Sequence, residues 1–168
     1  LYVGLSNYDG ETKVKAAKIL EELHCPFVIN QNRYSIFDRT IEKNGILDAA
    51  ISEKKGMIIF SPLEQGLLTD RYLKGIPEDS RVRTDGRFLK ESSITEDKLA
   101  KIKKLNDIAK NRGQTLAQMA LSWIYSKKGI TSVLIGASKP EQILDNLKMA
   151  ENLEFTKEEL TQIDNIVL

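Results

Sequence analysis

Four short apolar runs, each ending in polar, hydrogen-bonding residues, divide the chain: Leu1 to Tyr8, Pro26 to Tyr34, a run from Met57 that breaks at Ser61 and Pro62, and a run from about Thr131 that leads into Ser138. Their length and the turn residues that bound them predict strands. After a turn at Asp9 and Gly10, Val14, Ala17, Ile19, Leu20 and Leu23 recur at helical spacing and predict an amphipathic helix ending near His24. Pro26 then returns the chain to extended backbone. A second helix is predicted from about Ile41 to Lys54, with Ile41, Ile46, Leu47, Ala50 and Ile51 inward, and Gly56 leads into the third strand.

The regular strand–helix beat then breaks. A polar stretch from Leu73 to Ser93 separates the third strand from two further helices, and a long irregular segment of this kind is usually a lid or a binding loop. It and its approach carry Arg71, Arg81, Arg83 and Arg87, which also suit an ordinary solvated loop. Leu99, Ile102, Leu105, Ile108 and Ala109 form the apolar face of the first helix, stopped by Gly113. Thr115 with Gln118 caps the next, which buries Leu116, Met119, Ala120, Trp123 and Ile124, and Thr156 with Glu159 caps a final helix carrying Leu160, Ile163, Ile166 and Val167.

The stretch Ser132 to Asn146, SVLIGASKPEQILDN, runs a strand into a helix start. Ser138 is placed as the cap, Glu141 as its capping-box partner and Pro140 in the first turn, where its missing N–H is not needed. Lys139 adds positive charge where the helix dipole already favours an anion. The same features suit an ordinary helix start. In barrels of βα repeats the active site gathers at the C-terminal ends of the strands, so Ser6, Asn7, Gln31, Ser61 and Ser138 are expected to converge on one face.

Composition narrows the function classes. The 168 residues allow a sizeable core, whereas a whole eight-stranded βα barrel takes about 250 residues. With 25 basic and 24 acidic residues the net charge is +1, which excludes a strong global field for nucleic acid or anionic lipid. The single cysteine, Cys25, excludes an internal disulfide. No apolar run approaches the roughly 18 residues of a membrane span, so a cytoplasmic protein with no membrane and no nucleic-acid partner is expected. The chain opens at Leu1 with no initiator Met, and excision from a longer chain is the expectation.

Taken in order, GLSNY, NQNRYSIFDR, FSPLEQGLLTDRYLKGIPEDSR, RGQTLAQMALSW and SVLIGASKPEQILDN resemble the aldo-keto reductases, most of all the branch of potassium-channel beta subunits and bacterial L-glyceraldehyde-3-phosphate reductases. The resemblance covers essentially the whole chain and matches strands five to eight of the family's barrel. It implies an α/β fold of the TIM (β/α)8-barrel type, with residues 1–168 as a single domain forming the C-terminal half. It also implies NADPH as cofactor and an aldehyde or ketone as small carbonyl substrate, reduced to the alcohol.

The resemblance further implies that Ser6, Asn7 and Gln31 hold the nicotinamide carboxamide, whose donors and acceptor suit Ser, Asn and Gln side chains. Phe60, at the next strand end, would stack on the nicotinamide ring. Turn caps for Ser6 and Asn7, and core packing for Phe60, stand beside these roles. The pyrophosphate would lie along Ser61, Pro62, Leu63 and the turn at Gln65 and Gly66, with Arg71 and Arg81 or Arg83 closing over it. The adenosine phosphate site would map onto Gly136, Ser138, Lys139, Gln142, Asp145 and Asn146. Many relatives carry Lys, Arg and Glu where this chain has Gly136, Gln142 and Asp145, which bears on the strength of its preference for NADPH over NADH. No GxGxxG motif is present, which fits this family and argues against a Rossmann domain.

The family's catalytic Asp, Tyr, Lys and His come from the half of the barrel that this chain lacks, so no catalytic residue is assigned and the chain alone is expected to be inactive. His24 reads as the end of a helix and Cys25 as a small apolar filler; no lysine accompanies Tyr8 or Tyr34. Asp38 and Arg39 are expected to pair locally or cap a helix, and Trp123 to lie in the core. A second reading is a non-catalytic binding or assembly module. A half barrel leaves strand edges near Val3 and Leu134, which a missing N-terminal half or a second copy of the chain would cover.

Overall fold

A computed structural model of the chain describes residues 1–73, 75–78, 80–84 and 89–168, apart from the side chains of Arg81 and Thr84. Four strands, β1 (Val3–Ser6), β2 (Phe27–Arg33), β3 (Gly56–Phe60) and β4 (Ser132–Val133), alternate with helices α1 (Gly10–Glu22), α2 (Thr40–Lys43) and α3 (Ile46–Ser52). Between β3 and β4 come α4 (Arg81–Thr84), α5 (Glu96–Asn111) and α6 (Leu116–Tyr125), and α7 (Pro140–Leu147) and α8 (Lys157–Val167) follow β4. The chain divides into two compact units, one made of residues 1–62 with 124–136, the other of residues 63–123 with 137–168. Among the described residues no helix is long and apolar enough to cross a membrane.

The first unit is built on a parallel sheet in the order β1-β2-β3-β4. Register decides which side chains share a face. Asn30 and Asn32 pair with Met57 and Ile59, all four buried, on the face that α1, α2 and α3 cover. Ser6 pairs with Gln31, Gln31 with Ile58 and Arg33 with Phe60 on the opposite face, where none of these side chains is buried. In a (β/α)8 barrel that second face is the interior.

Two expectations fail here for backbone reasons. Asp9 and Gly10 do not form a free turn: the Asp9 carboxylate accepts from the Thr12 N–H at 2.7 Å as the N-cap of α1, and Gly10 opens the helix. A Cβ on Gly10 would meet the Gly45 backbone at 2.6 Å, so α1 approaches the start of α3 as only glycine allows. Gly45, at φ 75°, also splits the helix expected over Ile41 to Lys54 into α2 and α3.

The apolar face expected of α1 is corrected too. Val14, Ile19 and Leu23 are exposed, while Lys13 is fully buried. Its ammonium donates to the Glu53 carboxylate and to the Ala49 carbonyl at 3.2 Å, and lies 5.6 Å from the centre of the Phe27 ring. Burial of a lysine is tolerated because its charge is paired and hydrogen-bonded.

The second unit is helical. Ile102, Leu105, Leu116, Met119, Ala120, Leu121, Trp123 and Ile163 are all buried. Thr115 and Gln118 cap α6 reciprocally, as do Thr156 and Glu159 for α8, both as expected. The Arg112 guanidinium donates to Glu159 at 2.7 Å, to the Asn152 and Glu154 carbonyls and to Gln114, and lies over the Phe155 ring at 3.7 Å. Each of its three nitrogens has an acceptor and one face has a ring, which is what lets an arginine side chain be buried.

Candidate functional site

The carboxamide set belongs to the first unit. Ser6 ends β1 on the open face, and its register partner Gln31 lies beside it on β2. Their side chains, and that of Asn7, make no hydrogen bond among the described residues. Asn7 stands at φ 59°, in the left-handed region that Asn tolerates better than most residues, and its N–H donates to the Gln31 carbonyl at 3.0 Å. Phe60 lies half-buried at the end of β3, on the same face as its register neighbour Arg33, whose charge is met by Asp38 at 3.3 Å. Ser61 follows at φ 54° and Pro62 is buried. The structure therefore brings Ser6, Gln31 and Phe60 to one face at the carboxyl ends of adjacent strands.

Of the phosphate-side residues, Ser61, Pro62 and Gly136 belong to the first unit, and the others belong to the second and are described separately. Glu64, Gln65 and Gly66 run consecutively at φ 48°, 58° and 95°. Such a run in residues other than glycine costs of order 1–3 kcal/mol each and is typical of functional loops. The Gly66 N–H donates to the Leu63 carbonyl at 2.9 Å, so it closes the turn instead of facing outward. Arg71 sits exposed in a single 3-10 turn, and Arg83 pairs loosely with Glu91 at 3.9 Å. The Arg81 side chain and all of Arg87 lie outside the described residues.

The start of α7 differs from expectation by one residue. Lys139, extended at φ −141°, is the N-cap and Pro140 the first helical residue, so the third helical position falls on Gln142, not Glu141. Gln142 reaches back to accept from the Ser138 N–H at 2.8 Å and the Ser138 hydroxyl at 3.3 Å. Proline at the first helical position forces the residue before it into extended backbone, which fixes the cap at Lys139. Gly136, Ser138 and Lys139 are exposed. Asp145 accepts from Gln118 at 3.1 Å and pairs with Lys148 at 3.7 Å, and Asn146 is buried.

Among titratable groups, Asp9 has its carboxyl held below the ordinary range, first by the Thr12 N–H and then by the Thr12 hydroxyl. Tyr34 is fully buried with its hydroxyl committed to the Glu42 carboxylate. His24 and Cys25 line a groove of about 790 Å³ at the start of β2, the opposite end of that strand from Gln31. Asp38 pairs with Arg33 and accepts from Thr40, not from Arg39, and Trp123 is fully buried. Sequence reasoning passed over Asn30 and Asn32, although three successive amides in a strand must alternate between its faces.

The aldo/keto reductase family model matches residues 1–168. The chain belongs to that family. It is 46% identical over 167 residues, 98% of its own length and 48% of the relative's, to an L-glyceraldehyde 3-phosphate reductase of Escherichia coli O157:H7. It is also 31% identical over 170 residues, 99% of its own length and 52% of the relative's, to a probable voltage-gated potassium channel subunit beta of Oryza sativa subsp. japonica. A putative subunit of the same kind from Schizosaccharomyces pombe matches at 33% over 144 residues, 83% of this chain and 42% of the relative. The chain spans about half the length of the curated relatives it matches. For an aldo/keto reductase, four parallel strands with their helices are part of a (β/α)8 barrel. Members of the family are oxidoreductases that use NAD(P)H. The donor set fits that cofactor in kind: neutral hydroxyl and amide groups with uncommitted donors and acceptors suit a carboxamide, and Phe60 offers an apolar ring on the same face.

Proposed function

We infer that the chain is the cofactor-binding part of an NADPH-dependent reductase that converts an aldehyde or ketone to an alcohol. The observation that carries this is the register pairing of Ser6 with Gln31 on the open face, both with uncommitted side chains. When bound, NADPH supplies a hydride to the carbonyl carbon. This chain's residues bind and orient: Ser6, Asn7 and Gln31 hold the carboxamide, and Phe60 supports the ring. Lys139, charged at the N-cap of α7, favours an anion there and supports the preference for the 2′-phosphate. The proton for the alcohol comes from outside this set, because Tyr34 is committed to Glu42. The chain alone is therefore inactive. The relative's name makes L-glyceraldehyde 3-phosphate the first substrate to try.

NADPH at about 100 times its dissociation constant should stabilise the chain by roughly 2.7 kcal/mol, read as an upward shift of its thermal melt. Replacing Ser6, Asn7 and Gln31 together by Ala should shrink that shift. A cooperative melt that NADPH leaves in place overturns the reading, and aldehyde-dependent oxidation of NADPH by the chain alone overturns its inactivity.

One feature favours a second reading, assembly through pairing with a second copy or with the remainder of a barrel. Strands β1 and β4 end the sheet, and α1 and α7 expose Val14, Ile19, Leu23, Ile143, Leu144 and Leu147. Edges and apolar rows of this kind invite pairing. A monodisperse monomer in light scattering counts against it for the isolated chain.

A further inference from the structure

On the helix-covered face of β2, Asn32 occupies a position where an apolar side chain would be cheaper, as its register partner Ile59 illustrates. Asn32 is buried, and its Oδ1 has no hydrogen-bond partner among the described residues. An amide kept there works against stability. What it does is donate from Nδ2 to the Tyr8 carbonyl at 3.2 Å. Tyr8 belongs to the turn that leaves β1, directly after Ser6 and Asn7. The main chain holds the same turn one step earlier, where the Asn7 N–H meets the Gln31 carbonyl at 3.0 Å. Residues 31 and 32 thus grip a turn whose central residue, Asn7, stands in left-handed backbone at φ 59°.

We propose that Asn32 is a positioning residue, whose buried amide fixes the turn from Ser6 to Tyr8 so that Ser6, Asn7 and Gln31 meet the nicotinamide carboxamide together. This rests on the cofactor reading above. Asn30 supplies an internal control: it lies two residues earlier on the same face, is equally buried, and neither atom of its amide has a partner among the described residues. Losing the Asn30 amide removes buried polarity without releasing the turn.

The test compares Asn32→Leu, Asn32→Ala and Asn30→Leu, titrated with NADPH and with 2′-phospho-ADP-ribose, which lacks the nicotinamide. Losing one tethering hydrogen bond should weaken NADPH binding by about fivefold to tenfold in both Asn32 variants, leave the nicotinamide-free ligand unchanged, and leave Asn30→Leu like the parent. A second readout needs no cofactor: exchange of the Asn7 amide hydrogen, which the Gln31 carbonyl holds, should speed up in Asn32→Leu while β3 keeps its protection. Unchanged NADPH affinity, equal losses for both ligands, or unchanged exchange at the turn overturns the proposal. If the parent binds neither ligand, the cofactor reading itself fails and takes this proposal with it.

Discussion

Helices α1 and α5 carry the same kind of amphipathic pattern, and the chain buries them in opposite ways. In α5, Ile102, Leu105, Ile108 and Ala109 go inside, and the helix packs on α8. In α1 the apolar positions Val14, Ile19 and Leu23 stay in solvent, while Gly10 and Lys13 go inside against α3. Amphipathicity predicts that a helix has a face to bury but not which neighbour will bury it. Helix α7 behaves like α1, with Ile143, Leu144 and Leu147 exposed. These two helices follow the first and last strands of an open sheet, whereas in a closed (β/α)8 ring each helix has a neighbour on either side.

The sharpest way to break this contrast is to put a charge on each face. Leu105→Lys places an ammonium in a fully buried position and should cost about 4 kcal/mol or more, whereas Ile19→Lys should stay within about 0.5 kcal/mol of the parent in urea melts. Comparable losses at both positions would mean that the α1 face is covered in solution. A middle-sized effect is expected at Lys13. Lys13→Ala should cost about 2–4 kcal/mol, because it opens a cavity and strands Glu53, while Lys13→Met with Glu53→Met should return to within about 1 kcal/mol of the parent. If the double variant is as damaged as the single one, the ion pair does more than fill space.

The smallest effect concerns acid. The carboxyl of Asp9 is depressed in the folded chain, so its capping contribution is complete above its ordinary value of 3.8 and is lost as pH falls below that through the folded value. Asp9→Asn should flatten that part of the stability profile, and a parent profile with no loss in this range would remove Asp9 as a cap of consequence.

Local signals carried much of this far. The strands, the caps at Thr115 and Thr156, the burial of Trp123 and the polar residues at the strand ends were all legible, since each depends on neighbours a few residues away. Most of the failures share a cause in contacts distant along the chain: the break at Gly45 and the close approach at Gly10 depend on where α1 and α3 meet, and Asn32 acquires its role from a turn twenty-four residues away. The cap at Lys139 is the exception, a local matter set by the adjacent Pro140.

The sequence by itself determined the alternation of strand and helix and the family, because periodicity, turn residues and motif order are properties of short stretches. Tertiary structure alone decided which face each strand turned toward the helices. A parallel register places Gln31 on the open side and Asn32 on the buried one, and a shift by one residue would exchange them.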